Sequence, residues 1–324
     1  MKKGNEIPKV SLIIPVYKVE RDIERCVRSL FGQTLDDMEY IFVDDCSPDA
    51  SIGILEEVLC HFQKRKEQIK ILRNEKNMGV SYSRLRGLSV AEGEYISFVD
   101  SDDWTEYNMY ELLYEKARKE NYDIVISDYY NEYGGYTTQT TFRQSSAFEC
   151  LSNLHKKGYF PYTLWCQIYH KHLFDNENIN KIQPTNHGED LWLNICAHLR
   201  AKSIGFVPIC LYHYNRTNEY SMVKSFGRSK EKWFHQKQNV EMISAFLLDC
   251  DCKRMRKAAG WLRFLVKLEY KKAFDDPKEW FYTFRDSHQY IMEYEHLGNR
   301  KQLIKIWFIM NFYLCYKLFR MFEK

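Results

Sequence analysis

Three carboxylates fall within four positions of this chain: Asp100, Asp102 and Asp103, closing the run G-E-Y-I-S-F-V-D-S-D-D-W over residues 93–104. At an effective dielectric of about 20, two such charges roughly 4 Å apart repel by about 4 kcal/mol, so a positive group is expected among them. Hard oxygen ligands of this kind suit Mg²⁺ or Mn²⁺, held by one or two carboxylates and completed by substrate phosphates and water. The same residues could instead make a solvated turn in which Asp103 caps a helix beginning near Tyr107. Position favours the chemical reading. Tyr95 to Val99 reads as a buried strand, and open α/β sheets bind ligands outside the carboxyl ends of their strands.

Two further acidic points stand out. Asp45 follows the apolar run Tyr40 to Val43, and Asp190 opens a helical pattern in H-G-E-D-L-W-L-N. Alone, Asp45 could start a turn and Asp190 could cap its helix.

The elements that must carry these residues alternate. Val10 to Pro15 reads as a strand, followed by a helix with Ile23, Cys26, Val27, Leu30 and Phe31 at helical spacing. The strand ending at Asp44 and Asp45 leads into a helix bearing Ile52, Leu55, Val58, Leu59 and Phe62. Ile69 to Leu72 is a third strand, and Asn77 and Gly79 supply turn chemistry before the next helix. After the strand leading to Asp100 come a helix from about Tyr107 to Asn121 and a strand at Asp123 to Ser127. This alternation predicts a mostly parallel, doubly wound α/β sheet. Past Tyr129 the pattern changes: a polar loop or hairpin over Tyr133 to Ser146, a short helix near Ala147 to Lys157, an aromatic stretch around Trp165, the helix opened by Asp190, and one or two strands in Ile204 to Tyr214. The expected organisation is a catalytic domain over 1–224 and a basic helical extension over 225–324.

Charge follows that division. The net charge of +3 conceals 20 basic against 12 acidic residues after position 224, a balance of +8 there and −5 before it. An acidic catalytic half joined to a basic tail fits a metal site beside an anionic surface. Apolar content of 45% and charged content of 28% describe a soluble globular protein. The ten cysteines include no C-x-x-C pair and read as reduced thiols. The charged amino terminus enters a strand without an apolar signal core, so a cytoplasmic location is expected.

In this order, five segments resemble the family 2 glycosyltransferases of the GT-A fold, of the bacterial polysaccharide type. They are V-S-L-I-I-P-V-Y at 10–17, V-D-D-C-S at 43–47, N-M-G-V-S at 77–81, G-E-Y-I-S-F-V-D-S-D-D at 93–103 and G-E-D at 188–190. The resemblance implies a metal-dependent, inverting transfer of a sugar from a nucleoside-diphosphate sugar, UDP-linked, to a glycan or lipid-linked glycan hydroxyl. It implies that Pro15, Val16 and Tyr17 wall the nucleotide pocket, with Tyr17 against the base, and that Asp45 accepts the N3 proton of a uracil. Asn77 and Gly79 would close the base pocket, Arg84 and Ser101 would join the nucleotide-sugar site, Asp100 would meet the ribose, Asp102 would bind the Mn²⁺ or Mg²⁺, and Asp190 would be the general base. Trp165, His187 and Glu189 are candidate acceptor contacts, and Arg216, with Tyr214 and Ser221, lies where such enzymes carry a loop over the diphosphate. Two departures are present: Ser83-Arg84-Leu85 stands where relatives often show A-R-N, and Gln167 where many carry Lys.

Rival readings use the same acids. A sugar nucleotidyltransferase would place a Gly-rich basic loop after the first strand, where this chain has P-V-Y-K-V-E. A receiver-like domain would be complete in about half this length and would leave Asp190 unexplained; a non-catalytic scaffold is the third alternative. Residues 303–322 are rich in Trp, Phe and Tyr, yet only 11 residues separate Lys305 from Lys317, too few for a crossing. They suit either a docked helix or peripheral binding to an anionic membrane surface. No nucleic acid is expected among the partners.

Overall fold

The computed structural model describes residues 7–154, 156–175, 179, 188–218, 230–249, 252–269 and 282–293. Contacts divide the chain into two compact units, one of residues 1–151 with 156–221 and one of residues 152–155 with 222–324.

The first unit is built on a nine-stranded sheet, ordered β3-β2-β1-β4-β8-β6-β9-β5 with β7 paired to β6. Its strands are β1 (Val10–Val16), β2 (Met38–Asp44), β3 (Ile69–Arg73), β4 (Tyr95–Phe98), β5 (Trp104–Thr105), β6 (Ile124–Glu132), β7 (Thr137–Thr140), β8 (Gln167–His170) and β9 (Ile204–Asn215). β1 pairs in parallel with β2 and β4, β2 with β3, and β6 with β9. β8 runs antiparallel between β4 and β6, and β5 and β7 are antiparallel to β9 and β6. Six of the nine strands therefore point one way, and their carboxyl ends share one edge. The polar stretch over 133–146 proves to be the β6–β7 hairpin, and Ile204 to Tyr214 is a single strand.

Apolar spacing decides which faces are buried. In α1 (Ile23–Phe31) the residues Ile23, Cys26, Val27, Leu30 and Phe31 are all buried, as their spacing requires. α2 (Ser51–Leu59) buries Ile52, Leu55 and Val58. α3 (Val80–Val90) is different, burying Ser81, Ser83, Arg84 and Gly87 rather than an apolar stripe. A β-carbon at Gly87 would lie 2.5 Å from Ile13 Cγ2, so the missing side chain lets α3 approach β1 closely and brings Arg84 to the strand ends. α4 (Met109–Glu120) buries Met109, Tyr110, Leu113 and Ala117, and α5 (Ala147–Ser152) buries Ala147, Cys150 and Leu151. α6 (Glu189–Arg200) buries Trp192, Leu193, Ile195 and Cys196, with Leu191 and Leu199 half-buried.

In the second unit the helices Lys230–Asp249 and Lys253–Glu269 pack together, followed by a 3-10 stretch, Arg285–Glu293. Trp261 meets Tyr290 at 5.1 Å and Phe264 at 5.8 Å between ring centres, and Arg263 pairs with Asp286 at 2.8 Å. Among the described residues no helix is long and apolar enough to cross a membrane. The segment 303–322 lies outside them.

Candidate active site

Four segments bring their functional side chains to the carboxyl edge of the parallel strands. The first two are the ends of β1 and β2. Val16 lies opposite Asp44 in register, and Asp45 N–H donates to Val16 O at 3.0 Å. Pro15 is half-buried and Val16 fully buried, while Tyr17 is 39% exposed with Lys18 Nζ 5.2 Å from its ring centre. The loops that follow are stitched together. Lys18 N–H donates to Ser47 Oγ, Val19 N–H to Ser51 Oγ and Glu20 N–H to Asp49 Oδ2. Asp49 Oδ1 accepts from both serine hydroxyls.

Asp45 is buried and its carboxylate organises the third segment. Oδ1 accepts from Asn74 Nδ2 and from Met78 N–H, both at 2.7 Å, and Oδ2 accepts from Gly79 N–H at 2.8 Å. Gly79 has φ of 88° at the amino end of α3, a conformation that glycine adopts without steric cost. Asn77 is exposed on the same turn. Asn74 also donates to Ser83 Oγ and accepts from Arg86 Nη1; sequence reading passed over this buried side chain, whose only signal was its place three residues before Asn77.

The acidic turn after β4 forms the fourth segment. It separates its carboxylates, giving each a different partner. Asp100 Oδ1 accepts from Arg84 Nη2 at 2.6 Å, so one expected positive group is a side chain of the protein. Asp102 is half-buried; its Oδ2 accepts from Asn218 Nδ2 at 2.7 Å, and its backbone carbonyl accepts from Arg25 and Asn215. Burial, reinforced by the Asp100 charge, pushes the Asp102 carboxyl up to about 6 against the Asn218 hydrogen bond. Asp103 is wholly buried and does not cap the following helix, whose first residue is Met109. It accepts from Tyr212 Oη at 2.8 Å and Asn215 N–H at 2.7 Å. Burial, then Asp102 and Asp100, holds its carboxyl well above the usual range. Ser101 is buried between these residues. The anchoring roles of Tyr212, Asn215 and Asn218 were not legible, since each depends on the end of β9 arriving beside a turn more than a hundred residues earlier.

Arg84 joins this turn to α6. Its Nη1 donates to Glu189 Oε1 at 2.5 Å and to Asp190 Oδ1. The helix is preceded by Gly188 at φ of 94° with no side-chain cap, so Asp190 is not a capping residue. The side chains of Arg84 and Glu189 are 4% and 6% exposed, against 29% for Asp190 and 28% for Asp100. Burial would lower the Arg84 pKa, but Asp190, Asp100 and Glu189 together raise it. Burial is the main influence on Asp190 and pushes its carboxyl well up; Arg84 opposes this, and Glu189 and Asp100 add to it.

The remaining candidates divide. Trp165 is 2% exposed, stacked 4.3 Å from Tyr212 and edge-on to Tyr129 at 4.6 Å; its ring belongs to the core under the acidic turn and offers no face to an acceptor. Gln167 is buried and donates to Asn194 Oδ1 and Thr163 O. Arg216 donates twice to Asn131 Oδ1 and lies over the Tyr214 ring at 4.1 Å. His187 and Ser221 lie outside the described residues. Beside Asn218 a cleft of about 470 Å³ opens, lined by Lys18, Arg21, Asp22, Asp49 and Thr217 among others, within the usual size of a small-ligand site.

The model of the family described as glycosyl transferase family 2 matches residues 11–182. The chain belongs to that family. Its similarity to glycosyltransferase EpsJ of Bacillus subtilis is 32% identity over 226 residues, covering 67% of this chain and 64% of EpsJ. For glycosyltransferase EpsH of the same organism it is 33% over 230 residues, covering 69% and 65%. The chain thus spans somewhat under two thirds of those relatives. The crystal structure of S. aureus TarS 1-349 in complex with UDP-GlcNAc superposes with a TM-score of 0.63 at 19% identity, covering 91% of this family 2 chain and 77% of that one. The fold is GT-A.

Whether the acidic turn suits a divalent cation can be judged from its donors. Among the described residues no group of three or more His, Cys, Asp and Glu converges as a metal cage. A Mg²⁺ or Mn²⁺ ion needs one or two protein carboxylates, with phosphate oxygens and water completing its shell. Of the turn's three carboxylates, Asp100 is paired with Arg84 and Asp103 is wholly buried on Tyr212 and Asn215, whereas Asp102 is half-buried and accepts from the Asn218 amide; burial first, and then the Asp100 charge, raises its pKa. The donor set fits.

Proposed function

We propose that this chain is an inverting glycosyltransferase, moving a sugar from a UDP-linked donor to a hydroxyl of a glycan or lipid-linked glycan acceptor. The observation that carries this reading is the single guanidinium of Arg84 bonded to Asp100 on one side and to Glu189 and Asp190 on the other. Asp100 and Asp190 are thereby joined through one side chain, which supports reading one as the donor-side carboxylate and the other as the base. Family membership and the similarity to TarS, solved with UDP-GlcNAc, support the donor class.

Asp45 has spent three acceptor positions on its own turn; a carboxylate has about four, so Oδ2 has room for one further donor such as the imide N–H of uracil. Tyr17 is exposed beside it to cover the base. Asp190 is the most exposed member of its cluster, and one carboxylate within reach of the acceptor hydroxyl can take the proton lost as oxygen attacks the anomeric carbon. Attack opposite the leaving group inverts that carbon. A Mg²⁺ or Mn²⁺ ion held through Asp102 would supply Lewis-acid neutralisation of the departing diphosphate. Peripheral attachment through 303–322 would bring the site to a lipid-linked acceptor.

A donor screen tests the reading, measuring nucleoside diphosphate release from several nucleotide sugars with Mn²⁺ or Mg²⁺ and a mixture of glycan acceptors. Release stimulated by acceptor from a UDP-sugar supports it. Nucleotidyl exchange with pyrophosphate, and no sugar transfer, would replace it.

A further inference from the structure

Resemblance to the family puts Arg84 among the nucleotide contacts, but its surroundings point elsewhere. Both terminal nitrogens are committed to carboxylates, Nη1 to Glu189 and Asp190 and Nη2 to Asp100. Only 4% of the side chain is exposed, and Nε is the one polar atom of the side chain without a hydrogen-bond partner among the described residues. An arginine buried in this way has little left to offer a ligand arriving from solvent. We infer that Arg84 is a positioning residue for the base, its guanidinium holding the Asp190 carboxylate in place between α6 and the acidic turn. The inference rests on the reading of Asp190 as the base.

The physical case is one of charge. Asp190 is faced by Glu189 from its own helix, Asp100 from the end of β4, Tyr169 from β8 and Arg84 from α3. Tyr169 donates its hydroxyl to Asn194, so Arg84 is the single cation in that set, opposing burial and two like charges. Arg84 is the influence that lowers the Asp190 pKa against burial and the two like charges; without it the carboxyl would hold its proton more firmly still, and a protonated carboxyl cannot accept another. The close approach of α3 to β1, permitted at Gly87, is what brings the guanidinium within reach of α6.

The test follows the Asp190 proton directly, by carboxyl ¹³C NMR titration of the full chain, with the resonance assigned from an Asp190→Asn variant. Arg84→Met should raise the Asp190 midpoint by about one to three pH units, and Arg84→Lys by less. Glu189→Gln, which removes a like charge while keeping the shape, should lower it and serves if Arg84→Met does not fold. The acid limb of kcat/KM should move in the same directions, while UDP affinity at pH 8 in Mn²⁺ changes by less than about threefold. An Asp190 midpoint unmoved in these variants overturns the inference. A loss of UDP affinity above tenfold with that midpoint unchanged would return Arg84 to the nucleotide site. If no sugar nucleotide is turned over yet the midpoints move as stated, the proposed activity fails and the coupling stands.

Discussion

Asp45→Ala should weaken the protein before it weakens the chemistry. The substitution strips an acceptor from Asn74 Nδ2, Met78 N–H and Gly79 N–H. Asn74 keeps Ser83 Oγ at 3.1 Å as a partner, so two backbone donors are orphaned. Met78 is half-buried and can recover water, whereas Gly79 is buried. At about 1–3 kcal/mol for each buried donor left unsatisfied, the sum is about 3 kcal/mol. For a domain of this size that corresponds to a fall in Tm of roughly 6–12 °C. Asp45→Asn should lose less, because its amide oxygen still serves Asn74 and Met78, but its NH₂ group would face the Gly79 N–H. Scanning calorimetry gives the Tm, and titration calorimetry with UDP and Mn²⁺ gives the affinity. A Tm within about 2 °C of the parent in Asp45→Ala would refute the claim that this carboxylate builds the turn; lost UDP affinity with that unchanged Tm would make it a ligand contact alone.

Asp102→Ala should abolish transfer and weaken UDP binding in Mn²⁺ with the fold intact by circular dichroism, and full activity in excess chelator would remove the metal from the account. In the second unit, burial depresses the Lys267 ammonium to about 7, against the pull of Asp286. The unfolded chain keeps that proton to about 10.4, so between about pH 7 and 10 the unfolded state binds more protons and stability should rise with pH, by at most about 1.4 kcal/mol per unit. Urea unfolding at pH 7.5 and 9 should show this rise, and Lys267→Met should flatten it; the same slope in both proteins would assign it to other groups. Co-sedimentation with anionic vesicles at low salt should be strong for the full chain and lost when it ends at Asn299, and equal binding by both would exclude residues 303–322 as the anchor.

The alternation of strands and helices was legible because apolar spacing is a local signal, and the buried face of α1 shows it residue by residue. The acids at the strand ends were legible for the same reason: Asp45, Asp100 and Asp102 each sit one to three residues past an apolar run. Their partners were not. Arg84 meets Glu189 across 105 positions of sequence, and Asn218 meets Asp102 across 116, separations that no spacing rule reaches. Trp165 stood among the candidate acceptor contacts, although a tryptophan is more often core; its neighbours Tyr129 of β6 and Tyr212 of β9 make it core. Gln167, which departs from the Lys of many relatives, is buried and donates its amide to Asn194 of α6 and to Thr163 O, while its Oε1 has no hydrogen-bond partner among the described residues, so the substitution sits in packing and not on an open surface.

The measurement that bears most directly on the account is a comparison of Asp190→Asn with the parent in two assays, UDP binding by calorimetry and sugar transfer to acceptor. The account predicts donor affinity within about threefold of the parent and turnover lower by roughly 10²-fold or more, since the amide keeps the shape and cannot accept the proton. Turnover close to the parent's, or equal losses of binding and rate, would contradict it.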